Sequence, residues 1–182
     1  MKKVTLLGDS IRLLYGPIVE KELKKEGVEV FEPEDNCRFA KYTLRMLFDL
    51  QDQIQGSNVI HWNNGHWDVC NLFGDGPFSS LEEYLQNMNR IADLLLKITP
   101  NVIFATTTPV REGYPYQTDE AIKNLNRAVV PVLARKGIVI NDLHFLIESN
   151  RDEWIGDDLL HLNEKGASVC AEQTLNIIKR FL

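Results

Sequence analysis

The sequence predicts a single α/β domain over residues 1–182, in which helices cover both faces of a parallel sheet. Short apolar segments alternate with amphipathic segments from one end of the chain to the other, as in parallel sheets with crossover helices. The apolar segments also lack the strict polar–apolar alternation of a sheet that has one face in water. The five predicted strands are expected in the order 2-1-3-4-5.

The N-terminal half contains three of these strands and two helices. Residues 4–8 form a short apolar strand, and residues 11–25 carry an apolar stripe at helical spacing. Gly27 follows that helix, as glycine commonly does just beyond a helix end. The other predicted elements of this half are a strand over 28–31, a helix over 41–54 that ends near Gly56, and a strand over 58–62.

The C-terminal half continues the same alternation. A helix over 80–97 begins at Ser79 or Ser80, either of which suits an N-cap, and acidic residues occupy its first turn. The remaining predicted elements are strands over 102–106 and 138–140 and helices over 118–135, 143–148 and 165–181.

The composition indicates a folded globular protein and disfavours several classes of binding partner. Hydrophobic residues make up 44% of the chain and charged residues 25%, the balance of a folded globular protein. The net charge of -6 disfavours nucleic acids and anionic membranes as partners, because both require a basic face. We find no signal peptide and no apolar stretch long enough to span a membrane. Three cysteines without a pairing motif are expected to be free thiols, which predicts a cytoplasmic location.

Ser10 lies where the first predicted strand turns into the first helix. In a parallel sheet of this order, ligands bind beyond the carboxyl ends of the strands, where the strand order reverses. A hydroxyl at Ser10 would face that crevice, close to the free amide groups of a helix N-terminus. The alternative is that Asp9 or Ser10 is simply the N-cap of the helix.

The segment from Asp158 to His161 could complete a nucleophilic site with Ser10. A serine nucleophile needs a base to accept its proton, and a histidine base needs a carboxylate to fix its tautomer. The Asp-x-x-His spacing can place both groups on one side of a turn. Asp157 is a competing carboxylate, and a structural role for all these residues stays open. The chain has no G-x-S-x-G motif, which disfavours the larger α/β-hydrolase family.

Gly8-Asp9-Ser10 after an apolar strand and Asp158-x-x-His161 near the C-terminus resemble the first and last sequence blocks of the SGNH (GDSL-like) hydrolases. The resemblance spans nearly the whole chain. It implies a flavodoxin-like three-layer α/β/α fold and hydrolysis of acyl esters without a cofactor. By this resemblance Ser10 is the nucleophile, His161 the base and Asp158 its partner, and the Ser10 amide contributes to an oxyanion hole.

The second block of that family supplies a glycine amide to the oxyanion hole. The matching stretch here, residues 35–38, contains no glycine, so we expect the amide of Arg38 or Cys37 to serve instead. The third block is usually G-x-N-D, but residues 65–68 have Trp67 in place of the asparagine. Asn64 or Asn63 is therefore expected to supply the side-chain donor.

Aromatic and polar residues near the predicted crevice indicate the kind of substrate. Aromatic faces beside polar groups suit a carbohydrate ring, and the loops lack the aliphatic runs that would line a lipase channel. We therefore predict a short acyl group on a polar, sugar-like alcohol, bound by Asp9, Asn36, Trp67 and Trp154. The aromatic residues in this prediction are Trp62, Trp67, Phe78, Tyr114, Tyr116 and Trp154, with Asn71, Arg111 and Gln117 as polar neighbours.

Three alternatives accompany this hypothesis. A non-catalytic module could bind a sugar or an anion in the same crevice, and an acyltransferase could use the same residues with another alcohol in place of water. A metal site is disfavoured, since the chain has no H-E-x-x-H or paired-cysteine motif. The residues that such a site could have used are Asp9, His61, His66, Asp68, Asp158 and His161. The oligomeric state is not predicted.

Overall fold

The computed structural model describes residues 1–182 and contains one five-stranded sheet. All four strand pairs are parallel and the order is β2-β1-β3-β4-β5. This arrangement confirms the predicted fold class and strand order. The strands are β1 (Lys3–Leu7), β2 (Glu29–Phe31), β3 (Val59–Trp62), β4 (Val102–Ala105) and β5 (Val139–Asn141).

The helices are α1 (Ser10–Lys25), α2 (Ala40–Asp49), α3 (Gln51–Ile54), α4 (His66–Val69), α5 (Leu81–Leu96), α6 (Asp119–Ala134), α7 (Leu143–Glu148), α8 (Arg151–Trp154) and α9 (Glu164–Ile178), and a 3-10 turn follows over Lys179–Phe181. The predicted helix over 41–54 is two helices, because the chain leaves regular helical geometry at Leu50. Helices α4 and α8 were not predicted, since four residues are too few to show a helical period.

Two apolar cores lie on opposite faces of the sheet, because successive strand side chains point to opposite sides. In β3, Ile60 and Trp62 pack toward α2, α5 and α6, whereas Val59 packs toward α1 and α9. Both cores are closed by helices, which explains why the strands are apolar throughout.

The carboxyl ends of β1 and β3 lie side by side at the point where the strand order reverses. The amide of Asn63 donates to the carbonyl of Leu7 (3.2 Å), and the amide of Cys37 donates to the carbonyl of Gly8 (2.9 Å). These two bonds bring the loops after β2 and β3 against the β1–α1 turn, so three distant parts of the sequence meet at one edge of the sheet.

No helix combines the length and the apolar character that crossing a bilayer requires. The three cysteines are buried and unpaired. One of them, Cys37, has its Sγ 3.2 Å from the amide of Gly8, from which it accepts a hydrogen bond. This thiol is therefore part of the junction that aligns the β2–α2 loop with the β1–α1 turn.

Gly166 in α9 gives a prediction about stability. A Cβ at this position would lie 2.2 Å from the backbone carbonyl oxygen of Trp154, which cannot move without displacing α8. We expect Gly166→Ala to lower the free energy of unfolding by about 1–3 kcal/mol, the usual cost of overpacking. Ser168→Ala, at an exposed position of the same helix, should change it by less than about 0.5 kcal/mol. Urea denaturation of the two variants measures both values, and equal stabilities would contradict the predicted clash.

Candidate active site

Ser10 is the first residue of α1 and follows the carboxyl end of β1. The N-cap is Asp9, whose Oδ1 accepts a hydrogen bond from the amide of Ile11 (3.0 Å). The cap therefore belongs to Asp9, and the Ser10 hydroxyl is not needed for it. As a first-turn residue, Ser10 also has a backbone amide without an intrahelical acceptor.

The Asp158–His161 segment is a tight turn between α8 and α9. Oδ1 of Asp158 accepts the amides of Leu160 (3.1 Å) and His161 (2.9 Å), and Leu159 adopts a left-handed backbone with φ 67°. At the base of the turn the amide of Gly156 donates to the carbonyl of His161 (2.7 Å). These bonds fold the segment back on itself, so both side chains lie on the same side.

A hydrogen-bonded chain joins the three residues across 151 positions of sequence. Nε2 of His161 lies 2.9 Å from Oγ of Ser10, and Nδ1 of His161 lies 2.6 Å from Oδ2 of Asp158. Asp157 and Asp158 are both exposed, but only Asp158 forms a hydrogen bond with the ring. A carboxylate on Nδ1 favours the tautomer whose Nε2 can accept a proton from the serine.

The charge of Asp158 is favoured by its surroundings. Partial burial alone would raise the pKa of this carboxyl, but the hydrogen bonds from the His161 ring and from the amides of His161 and Leu160 outweigh it. The net result is a pKa below the ordinary aspartate value, so this residue is a carboxylate at neutral pH. An ionised partner stabilises a positive charge that forms on the imidazole.

Asp9 was predicted to bind substrate, but the structure places it beneath the turn rather than in the crevice. Its side chain is fully buried, and its Oδ1 also accepts Nδ2 of Asn63 (2.8 Å). Asn63 in turn covers Gly8 so closely that a Cβ there would lie 2.0 Å from its Oδ1. This contact explains the glycine of the Gly8-Asp9-Ser10 sequence, and the bond to Asp9 uses one hydrogen of the Asn63 amide beneath the turn.

The prediction for Asn64 also requires correction. Its Nδ2 donates to the carbonyl of Arg38 (2.8 Å) and to Oγ1 of Thr43 (2.8 Å), which uses both amide hydrogens. Asn64 therefore holds the β2–α2 loop in place from below. Neither predicted asparagine lines the space in front of Ser10.

The two backbone amides of the β2–α2 loop that were expected to serve the oxyanion hole already donate hydrogen bonds within the chain. The amide of Cys37 is committed to Gly8, and the amide of Arg38 donates to Oδ1 of Asn36 (2.7 Å). Arg38 adopts a left-handed backbone with φ 49°, a conformation that glycine takes without strain. Arg38 thus has the backbone of the glycine that the sequence lacks, but its amide is occupied.

A cavity of about 330 Å³ opens in front of Ser10 and His161. Asn36 and Trp67 line it, and Tyr114, Tyr116 and Gln117 form another part of its wall. Four further lining residues were missed because they lie in short loops and helices without a distinctive pattern: His66, Cys70, Leu72 and Leu160.

Several aromatic residues predicted at the crevice lie elsewhere. Trp154 packs against the core formed by α1 and α9, and its indole Nε1 is buried without a partner. Trp62 is fully buried against Phe104, with ring centroids 4.9 Å apart. Phe78 contacts Trp67 and is partly exposed beside the cavity wall. The prediction of a substrate contact through Trp154 is therefore corrected.

The other histidines near this edge of the sheet are held neutral. His66 lines the cavity, but burial lowers its pKa to about 4, and its ring nitrogens are 2.6 Å from Nε2 of Gln117 and 3.0 Å from Oγ1 of Thr108. Burial lowers the pKa of His61 to about 3, and this ring lies in the core near Asn141. Both rings have structural partners, whereas His161 faces Ser10.

Asp68 of the third block anchors two segments behind the cavity. It accepts the amide of Ala40 at the start of α2 (3.1 Å to Oδ2) and the hydroxyl of Ser79 (2.8 Å). Burial raises the pKa of this carboxyl to about 7. Asp68 does not line the cavity, and no group of three or more His, Cys, Asp or Glu side chains in the structure is arranged to hold a metal ion.

A parallel sheet of order 2-1-3-4-5, with a Ser–His–Asp chain at its carboxyl edge, is the architecture expected of an SGNH hydrolase. Comparisons with known proteins confirm this resemblance, although no family model matches the chain. The rice protein GDSL esterase/lipase WDL1 (Oryza sativa subsp. japonica) is 29% identical over 161 residues, covering 79% of this chain and 62% of the relative. The chain spans less than two thirds of the length of the curated relatives it matches.

Solved structures share the fold over nearly the whole chain. A lipase/acylhydrolase from Enterococcus faecalis has a TM-score of 0.79 at 20% identity, covering 99% of this chain and 96% of that one. A catalytic mutant of Axe2, an acetylxylan esterase from Geobacillus stearothermophilus, has a TM-score of 0.80 at 16% identity, with 97% and 94% covered. At these identities the likeness establishes the three-layer α/β/α fold.

Proposed function

We propose that this protein hydrolyses carboxylic esters through a covalent acyl-enzyme. The observation that carries the proposal is the hydrogen-bonded chain from Ser10 through His161 to Asp158 at the mouth of a cavity. The sequence relatives named GDSL esterase/lipase support the same activity.

In the first half-reaction, Oγ of Ser10 attacks the ester carbonyl while Nε2 of His161 takes the hydroxyl proton. The tetrahedral intermediate collapses when His161 gives that proton to the leaving alcohol, and the acyl group stays on Ser10. Asp158 keeps Nδ1 protonated throughout and stabilises the imidazolium. The free amide of Ser10, at the N-terminus of α1, is positioned to donate to the oxyanion.

In the second half-reaction, water replaces the alcohol. His161 accepts a proton from water, the resulting hydroxide attacks the acyl carbon, and Ser10 Oγ leaves and recovers its proton from His161. The reaction consumes one water and yields an acid and an alcohol. No metal or cofactor is required for any step.

The proposed substrate carries a short acyl group on a sugar-like alcohol. The cavity in front of Ser10 has room for a small acyl group, and its wall contains the indole of Trp67. A second cavity of about 540 Å³ shares Tyr114, Tyr116 and Gln117 with the first and adds polar groups such as Asn71. Aromatic faces beside amides suit a carbohydrate, and one fold neighbour is an acetylxylan esterase.

A series of nitrophenyl esters tests the acyl preference. We expect kcat/KM to be highest for acetate to butyrate and to fall by roughly ten- to a hundredfold for octanoate. Polar side chains such as Asn36 and Gln117 share the cavity wall, so a long aliphatic chain finds no continuous apolar surface there. Acetylated xylo-oligosaccharides should then release acetate. A maximum at octanoate would refute the short-acyl preference while leaving ester hydrolysis intact.

Two further experiments separate hydrolysis from the other functions of such a site. A fluorophosphonate probe should label Ser10, since labelling requires an activated serine; a binding module would stay unlabelled. Product analysis in the presence of added glycerol or xylose distinguishes free acid from a new ester. Formation of the new ester as the main product would identify an acyltransferase.

A further inference from the structure

The oxyanion in front of Ser10 needs donors beyond the Ser10 amide, and the usual sources are occupied. The amides of Cys37 and Arg38 are bonded within the chain, and so are the side-chain amides of Asn63 and Asn64. The third block has Trp67 where the related family has an asparagine. A donor must therefore come from another group on the cavity wall.

The cavity wall contains few N–H donors that are free. Gln117 contacts Nδ1 of His66 through its Nε2, and the other ring nitrogen of His66 contacts Thr108. Two candidates remain whose side-chain N–H groups make no hydrogen bond in the chain. They are Nδ2 of Asn36 and Nε1 of Trp67.

Asn36 is the better placed of the two because its neighbour is fixed to the nucleophile turn. Both the carbonyl and the amide of Gly8 bond to Cys37, the residue after Asn36. Asn36 itself is held by two bonds, one from its amide to Oδ1 of Asp35 (2.8 Å) and one from the amide of Arg38 to its Oδ1 (2.7 Å). Because a backbone N–H can only donate, the side-chain atom that faces the Arg38 amide is the amide oxygen Oδ1, and the Nδ2 group of Asn36 is left free.

We propose that Asn36 is the side-chain oxyanion donor of this protein, with its Nδ2 acting in place of the asparagine missing from the third block. The inference rests on the proposed ester hydrolysis. The bonded Arg38 amide polarises the Asn36 amide group, which strengthens its N–H as a donor. The donor role has thus moved from the loop after β3 to the loop after β2, on the other side of Ser10.

Asn36→Ala should lower kcat by roughly a hundredfold with little change in KM, because an oxyanion donor acts mainly in the transition state. The affinity for a methylboronic acid, which forms a tetrahedral adduct with a serine, should fall in parallel. Asn36→Asp keeps an acceptor for the Arg38 amide and so preserves the loop. It removes the donor and adds a negative charge beside the oxyanion, so its loss should be larger still.

Trp67→Phe is the matched comparison, since it removes the other free N–H and keeps an aromatic ring. Its loss of kcat should be clearly smaller than that of Asn36→Ala. A larger loss for Trp67→Phe would overturn the assignment in favour of Trp67. An unchanged or raised kcat in Asn36→Ala would also overturn it, because the freed Arg38 amide would then be the donor.

Fluorophosphonate labelling of the wild-type protein separates these failures. If Ser10 of the wild-type protein is labelled and Asn36→Ala is as active as the wild type, only the role of Asn36 is refuted. If Ser10 of the wild-type protein is not labelled, the proposed function itself fails, and the oxyanion assignment fails with it. Thermal unfolding of Asn36→Asp, which keeps the acceptor for the Arg38 amide, and of Trp67→Phe should show the wild-type transition, which identifies their loss of rate as catalytic.

Discussion

Ser10→Ala is expected to reduce ester hydrolysis by roughly 10⁴- to 10⁶-fold while leaving the fold intact. The hydroxyl of Ser10 forms a hydrogen bond with one side chain, that of His161, and the cap of α1 is Asp9. Alanine is also the best helix former, so the free energy of unfolding should change by less than about 0.5 kcal/mol. Initial rates with nitrophenyl acetate and a urea denaturation curve measure the two effects.

Labelling with a fluorophosphonate provides the control for this variant. The label should disappear in Ser10→Ala and persist in Ser168→Ala, whose serine is exposed on α9. Near-normal turnover in Ser10→Ala, or a label on another serine, would show that the nucleophile lies elsewhere. Loss of activity together with a large loss of stability would contradict the assignment of the cap to Asp9.

The sequence was sufficient to predict the sheet and the residues that meet at its edge. The parallel α/β class followed from the alternation of apolar and amphipathic segments, and the strand order expected for it is the order in the structure. Ser10 and His161 were expected to meet because one follows the first strand and the other belongs to a block of the related family. The structure brings them to 2.9 Å.

The donors around the site could not be predicted, because they depend on where individual side-chain amides point. Asn63 and Asn64 are adjacent in sequence, yet one bonds to Asp9 and the other to the β2–α2 loop. Tertiary contacts decide which partner each side-chain amide bonds to, and no local sequence pattern predicts these contacts. Trp154 was misplaced for a related reason, because an aromatic residue in a loop near the site can equally well pack into the core.

The second block lacks its glycine but keeps the backbone conformation that the glycine would adopt. The left-handed backbone that glycine would provide is present at Arg38, a residue with a Cβ. The conformation is supported by the Asn36 side chain, which accepts the Arg38 amide, and by Asn64, which donates to the Arg38 carbonyl. Side chains thus provide the support that a glycine would not need, and one of them, Asn36, is the oxyanion donor that we propose.

Asp158→Asn is expected to reduce kcat by roughly a hundredfold to ten-thousandfold. Oδ1 of Asp158 accepts two backbone amides, so the oxygen of an asparagine must occupy that position. Its NH₂ group would then face Nδ1 of His161, where Oδ2 now lies at 2.6 Å. An NH₂ donor there requires an unprotonated Nδ1, which puts the hydrogen on Nε2 and prevents His161 from accepting the proton of Ser10.

A comparison with Asp158→Ala distinguishes the effect of the wrong tautomer from simple loss of charge. Asp158→Ala removes the carboxylate but places no donor against Nδ1, so the productive tautomer stays accessible. Its kcat should therefore be higher than that of Asp158→Asn, despite the greater loss of contacts. Asp157→Asn alters an exposed side chain that does not contact the ring, and its rate should stay close to that of the wild type.

The pH dependence of the rate completes the test. In the wild type, the rate should fall at low pH, because a protonated histidine cannot act as a base. In Asp158→Asn, raising the pH should not restore the rate, since the ring is neutral but carries its proton on the wrong nitrogen. Equal rates for the Asp157→Asn and Asp158→Asn variants would remove the basis for the Asp158–His161 pair.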